Sequence, residues 1–309
     1  MTNNRINEPS EMAQSSAQLQ PNDRWGVILL CHGSQRGTSA AECSCAWETN
    51  ENSNPSLPYW CKNCPSTPIG LQDAVSLLGM ELGAANAEVI LSCLEFIEPH
   101  PDEAVRILTN RGFNKLVIMP YLLGHGKHAT LELDEVLEEL KNQAPTTDIF
   151  LSEGFGSDEK LASLVVERIQ SLQSSNSYTP SNEHPAGILL VKAGTKTQYD
   201  DCSWMVELGQ IIEDRLGSNY AVSIAQSHYG DPTMDAAAAN LVDKRNVGSI
   251  MCVPYLFFPG LILQRNVIGG LEKLRNEYPD IPIRVTPPLG VDSRLVSVAA
   301  DRIREVWSR

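Results

Sequence analysis

The side chains of this chain whose types and spacing could do chemistry are a few histidines, one glutamate and four clustered cysteines. His32 follows an apolar run, Trp25 to Cys31, and is itself followed by Gly33. Glu95 stands near the end of a second run, Glu88 to Phe96. His128 lies in a glycine-containing loop after a third, Leu116 to Pro120, with His125 and Lys127 beside it. Two imidazoles and a carboxylate form a borderline ligand set that suits Co2+, Fe2+, Ni2+ or Zn2+ and suits Mg2+ or Ca2+ poorly. One histidine at a strand end is more often a plain surface group, so each of the three is ordinary alone. Their joint occurrence at three strand ends is what points to a metal. Elsewhere, Cys43-x-Cys45 and Cys61-x-x-Cys64, fifteen residues apart, present four thiols in two close pairs. A tetrahedral Zn2+ or an iron–sulfur cluster needs that arrangement. The same cysteines could instead form a redox-sensitive disulfide pair, or sit in a lid that holds no metal.

Residues so far apart in sequence meet only if the elements carrying them end at one place. The apolar runs Trp25–Cys31, Glu88–Phe96 and Leu116–Pro120 read as buried strands, with a fourth at Asp148–Ser152. Between them the spacing predicts helices over 69–83, 100–110 and 129–142, and a further helix over 157–172. Strands alternating with helices of this length imply right-handed crossovers and a parallel sheet of four strands. In an open sheet of that kind, the carboxyl ends of adjacent strands share one crevice. Ser171 to Pro185 is polar and rich in turn residues, and beyond it the pattern restarts. Strands are expected over 187–192, 221–227, 249–254 and 283–287, with helices over 200–216, 234–245, 263–277 and 291–307.

The restart is a repeat in detail. Ser249 to Ile262 echoes the third strand and its loop, keeping Pro-Tyr-Leu and the glycine six residues after the proline. Pro99 and Asp102 fall on Pro232 and Asp235, while Pro120, Gly126, Gly156, Leu161 and Arg168 fall on Pro254, Gly260, Gly290, Leu295 and Arg302. Gene duplication is the economical source of such matches. On this alignment His32 falls on Ala193, Glu95 on His228 and His128 on Ile262, so only the first half keeps all three polar groups. The expected organisation is a disordered tail over 1–23, a first α/β domain over 24–173 with a Cys-rich insertion over 40–68, a linker over 174–186, and a second α/β domain over 187–309.

Composition narrows the class. With 42% hydrophobic residues in 309, each half is long enough to bury a core. A formal charge of −14 argues against wholesale nucleic-acid binding, which needs clustered lysine and arginine. No apolar run approaches a membrane span and no secretion signal opens the chain, so a cytoplasmic protein with reduced thiols and no membrane partner is expected. Cys31, Cys93 and Cys252, inside apolar runs, are expected to be small core residues.

His32-Gly33-Ser34 after the first strand, Leu94-Glu95-Phe96 and then Pro99 after the second, and Pro120-Tyr121-Leu122-Leu123 followed by glycine and His128 resemble the CbiX/SirB family of class II chelatases. The resemblance runs over residues 25–173 and continues through 187–308 as the second repeat of the family's long form. It implies two duplicated domains, each a four-stranded parallel sheet flanked by helices, with the active cleft between them. The activity implied is insertion of a divalent metal, Co2+ or Fe2+, into sirohydrochlorin, in cobalamin or siroheme biosynthesis. The family's metal-contacting positions carry over to His32, Glu95 and His128, and it is His128 rather than His125 that stands at the family's distance after the proline. Sirohydrochlorin is a polycarboxylate, so Arg36 and Lys127, with Lys192 and Lys196 from the second half, are the expected basic groups for the substrate. Two features depart from the family: Gln35 replaces its usual arginine, and the cysteine insertion is additional. A monomer or weak oligomer is expected, because an internal duplication can replace a homodimer. The competing reading is a tetrapyrrole or metal carrier or sensor governed by the insertion.

Overall fold

The computed structural model describes residues 24–33, 66–96, 98–124, 131–174, 179–194, 202–258 and 260–309. The first half runs β1 (Trp25–Cys31), α1 (Ser66–Leu82), β2 (Ala87–Cys93), α2 (Pro101–Asn110), β3 (Lys115–Pro120), α3 (Leu131–Gln143), β4 (Asp148–Leu151) and α4 (Glu159–Ser174). The second runs β5 (Ala186–Lys192), α5 (Ser203–Leu216), β6 (Tyr220–Gln226), α6 (Met234–Ala239), β7 (Ser249–Tyr255), α7 (Gly269–Glu277), β8 (Ile283–Val285) and α8 (Ser293–Trp307). All pairings are parallel, in the orders β2-β1-β3-β4 and β6-β5-β7-β8. The expected fold class is the observed one: two four-stranded parallel sheets with helices on both faces.

Alternate residues of each central strand serve different cores, as the two-residue period of a strand requires. Along β1, Val27, Leu29 and Cys31 join the core between the two sheets, while Ile28 and Leu30 join the core under α2 and α3. The second sheet has its own outer core under α6 and α7. The inner core is continuous across both halves, and the last helix of each half crosses over: α4 packs on α5 and β7, and α8 packs on α1 and β3. Trp307 of α8 stacks on Trp25 of β1, ring centroids 6.1 Å apart.

The crossing is fastened symmetrically. Arg168 of α4 donates to the Leu289 carbonyl at 3.1 Å and pairs with Asp292. Arg302 of α8 donates to the Gly154 carbonyl at 3.3 Å and pairs with Asp158. Lys160 with Asp301, and Arg294 with Glu167, form a second related pair of ion pairs. Since each charged side chain sits 134 residues from its counterpart, these are isologous contacts written into one chain.

Three local expectations differ. The run Glu88–Phe96 is regular strand only as far as Cys93, whose N–H on the outer edge meets the Pro99 carbonyl at 3.1 Å, so Glu95 lies two residues past the strand although its N–H still bonds toward β1. β2 is also an edge strand with Glu88 to Leu91 only half-buried, whereas the apolar run alone suggested a fully buried one. The helices expected over 234–245 and 263–277 each contain π-helical turns, at Asn240–Lys244 and Ile262–Ile268. Buried Leu263, Val267 and Leu271 recur every four residues, a spacing that serves either winding.

Candidate metal site at the strand ends of the first repeat

His32 is the first residue beyond β1, and Glu95 follows the end of β2, the strand beside it. The two are drawn together by the backbone. The Leu94 N–H donates to the Cys31 carbonyl and the Glu95 N–H to the His32 carbonyl, each at 2.9 Å, so the ladder continues past the strands up to the candidate ligands. Gly33 makes this approach feasible: its φ is +91°, and a Cβ there would stand 1.9 Å from the Glu95 carbonyl oxygen. Both side chains are half-buried. The His32 Nδ1 lies 3.4 Å from the Gly33 carbonyl, and the exposed Phe96 ring is centred 6.4 Å from the imidazole. Phe96 itself is held at φ +68°, a backbone region that aromatic residues rarely occupy.

Beneath this pair, Cys31 and Cys93 are partners in register on neighbouring strands. Burial, with the Cys93 sulfur nearby, pushes the Cys31 thiol well above its ordinary range; burial pushes Cys93 up to about 11. Both are core thiols, as their apolar surroundings in the sequence led one to expect. Cys252 is buried too, and burial likewise raises its pKa.

The third strand reaches the same end of the sheet, the Tyr121 N–H donating to the Leu30 carbonyl at 2.8 Å. Tyr121 is buried and stacks on Phe257 from the loop after β7, centroids 4.8 Å apart at 10°, with Phe155 edge-on at 5.0 Å. The interlock has a second part. Gly70 leaves room for the Phe258 ring, which a Cβ would meet at 2.3 Å, and Trp204, which corresponds to Gly70, reaches toward Gly124, which corresponds to Phe258. Large meets small in both senses, so the loop after each third strand is keyed to the first helix of the other repeat.

His128, together with His125, Lys127, Arg36, Lys196 and the four insertion cysteines Cys43, Cys45, Cys61 and Cys64, lies outside the described residues. Among the described residues no three His, Cys, Asp or Glu side chains converge as a metal-holding group. Lys192 is found as the last residue of β5, nearly buried, its Nζ donating to the Ala193 carbonyl at 3.2 Å. The second repeat reproduces the crossing without the ligands. A Cβ on Gly194 would stand 1.2 Å from the His228 carbonyl, and the Ser227 N–H donates to the Lys192 carbonyl at 2.9 Å. His228 takes the place of Glu95 with Nδ1 2.8 Å from the Ser227 Oγ, and Tyr229 takes the place of Phe96 at φ +47°. Lys192 and Gln226, partners in register, stand near the positions of Cys31 and Cys93. Sequence reasoning named Gly33 beside His32 but gave it no part in the approach of the two ligands, for which the signal was its recurrence as Gly194 after the matching strand. For the positive φ of Phe96 and Tyr229 there was no signal, because nothing about an aromatic side chain announces it.

Comparison with known proteins gives the family. The CbiX family model matches residues 26–172 and again 187–306, and the chain belongs to that family. A sirohydrochlorin ferrochelatase of Priestia megaterium is 23% identical over 184 residues, 60% of this chain and 65% of that protein. A sirohydrochlorin cobaltochelatase of the same organism is 21% identical over 69% of this chain and 67% of its own length. The chain thus spans about two thirds of the length of these curated relatives. Among solved structures, SirB from Bacillus subtilis with Fe3+ superposes with a TM-score of 0.69 over 92% of this chain and 96% of its own, at 15% identity. A structure of CbiX, described as the terminal enzyme for biosynthesis of siroheme in denitrifying bacteria, gives 0.52 over 91% of this chain and 98% of its own, at 15% identity. No helix among the described residues is long and apolar enough to cross a membrane.

Proposed function

We propose that this chain inserts a divalent metal, Co2+ or Fe2+, into sirohydrochlorin, in the cytoplasm and in the service of siroheme or cobalamin synthesis. The observation that carries this reading is the joining of His32 and Glu95 at adjacent strand tips by the Gly33 crossing, in a chain of the CbiX family. Relatives named as ferrochelatase and cobaltochelatase support both metals, and a ligand set of two imidazoles and a carboxylate accepts either.

In this mechanism His32, Glu95 and His128 hold the ion through three protein groups and leave its other coordination positions to water and then to pyrrole nitrogens. Metalation releases the two pyrrole N–H protons as the ion passes to the four nitrogens. Imidazole accepts a proton near neutral pH, so His32 and His128 serve as acceptors once the ion has moved, with Glu95 as ligand or orienting base. Arg36, Lys127 and Lys196 meet substrate carboxylates, while Lys192, buried with its Nζ on the Ala193 carbonyl, lends its charge from below. The four insertion cysteines Cys43, Cys45, Cys61 and Cys64 would hold Zn2+ or an iron–sulfur cluster through their thiolates, and such a centre would supply the insertion with a core.

The visible spectrum of sirohydrochlorin with Co2+ or Fe2+ tests the main claim. The His32→Ala protein is expected to metalate about a hundredfold or more slowly than wild type. Near-normal rates in that variant would sink the assignment, and wild-type binding of substrate without acceleration would make the protein a carrier. Zinc and iron both well below one per chain after anaerobic purification would remove the cysteine centre.

A further inference from the structure

We propose that this protein self-associates through the open edge of β2, two copies pairing their β2 strands antiparallel about a two-fold axis. The argument begins from a difference between the repeats. Both β2 and β6 are edge strands, and an edge with unpaired backbone groups is a template for another strand. On β6 the edge is guarded: the Val222 N–H donates to Glu213 Oε2 at 2.6 Å, Arg245 holds Glu213 from the other side at 2.6 Å, and Asp214 follows. The corresponding residues of α1, 134 positions earlier, are Gly79 and Met80. Among the described residues no acidic side chain takes the place of Glu213 beside Val89, the counterpart of Val222.

The open groups are identifiable from the ladder. Since the Leu94 N–H faces β1, residues 92, 90 and 88 face it too, and residues 93, 91 and 89 face outward. The Cys93 N–H is taken by the Pro99 carbonyl, and among the described residues nothing bonds the N–H and C=O of Val89 and Leu91 on the outer edge. In a two-fold antiparallel pairing centred on Ile90, Val89 of one copy faces Leu91 of the other, and vice versa. Both pairs are then of the closely spaced, doubly hydrogen-bonded kind, so every one of these groups is satisfied at once. A second copy is thus self-complementary with the edge. The side chains agree. Met80, 71% exposed, lines an open groove of about 550 Å3 together with Gly79, Ala84, Ala87 and Val89 and the polar Arg24, Ser76 and Glu88, and Leu77 is 36% exposed one turn before it on α1. Glu88, the one charged residue of the strand, is paired with Arg111, so the axis brings no uncompensated like charges together.

The test is the mass of the full chain in solution, by light scattering and sedimentation over a range of concentrations. Wild type is expected to approach twice 33.9 kDa at high concentration. The double substitution Gly79→Glu with Met80→Asp copies the guard of the second repeat, and a Cβ at Gly79 meets only Val89 Cγ2, at 3.9 Å. That variant is expected to raise the dimer dissociation constant at least about tenfold, with circular dichroism and metal insertion unchanged. Met80→Asp alone, on an exposed position, is the second variant should the double one fold poorly. Val206→Asp, on an exposed position of α5, is expected to dimerise like wild type. A monomer at every concentration, capture of an unrelated extended peptide in place of a second copy, or undiminished dimerisation of both guard variants would overturn the proposal.

Discussion

Gly33 decides whether two candidate ligands 63 positions apart can sit side by side. Its replacement by alanine has two effects, a strained left-handed backbone and a collision with the Glu95 carbonyl. Gly112 separates them, since its φ is +89° and a Cβ there meets nothing within 4 Å. Gly112→Ala is expected to cost about 1 kcal/mol, the backbone part alone, and Gly33→Ala about 1–3 kcal/mol more. Urea unfolding of the two variants checks this; equal losses would show that the crossing tolerates a side chain. His32 and Glu95 were legible as candidates because polar residues stand out at the ends of apolar runs. Their mutual approach was not, since it depends on a backbone dihedral and a carbonyl position.

The helices show how one residue type serves at two levels. Asp292 is the N-cap of α8, accepting the Arg294 N–H at 3.0 Å, and its carboxylate also receives the Arg294 guanidinium and faces Arg168. Burial alone would push its pKa up, but the hydrogen bonds from Arg294, aided by the charges of Arg294 and Arg168, hold it below the usual aspartate value. A folded-state pKa that is depressed contributes stability above the unfolded value, and that contribution is lost as pH falls through the folded one. Asp292→Asn keeps a capping oxygen and removes the charge. It is expected to cost about 1 kcal/mol at neutral pH, with the gap from wild type closing below about pH 4. Thermal melts across that range measure it, and a gap independent of pH would rule out the charge as its source.

At the scale of the molecule, the crossing of α4 and α8 makes the two halves one cooperative body. Each half surrenders its last helix to the other's sheet, the inner core runs through both, and Arg168 and Arg302 each grip the loop that opens the opposite helix. Unfolding in urea is therefore expected to be a single transition, with the same midpoint from Trp25 and Trp307 on the first sheet as from Trp204 on the second, read in proteins that retain one of these at a time. Arg302→Ala should lower both midpoints together. Two separated midpoints would mean that the halves are independent domains after all.

What the amino-acid order determined by itself was everything that depends on periodicity and local backbone signals. Apolar runs separated by helical spacing dictated two parallel sheets, and proline, glycine and arginine recurring 133 or 134 residues on revealed the duplication. A lone histidine or glutamate at a strand end marked where chemistry could occur. Only the tertiary structure decided which helix covers which sheet, because α4 and α8 have apolar faces that fit either half and the choice is made by the shared core. It also decided that Glu95 stands beyond β2 rather than in it, and that among the described residues β6 has a guard on its edge and β2 has none. Those outcomes rest on particular hydrogen bonds, from the Glu95 N–H to the His32 carbonyl and from the Val222 N–H to Glu213, whose partners are chosen by distance in space and leave no periodic trace along the chain.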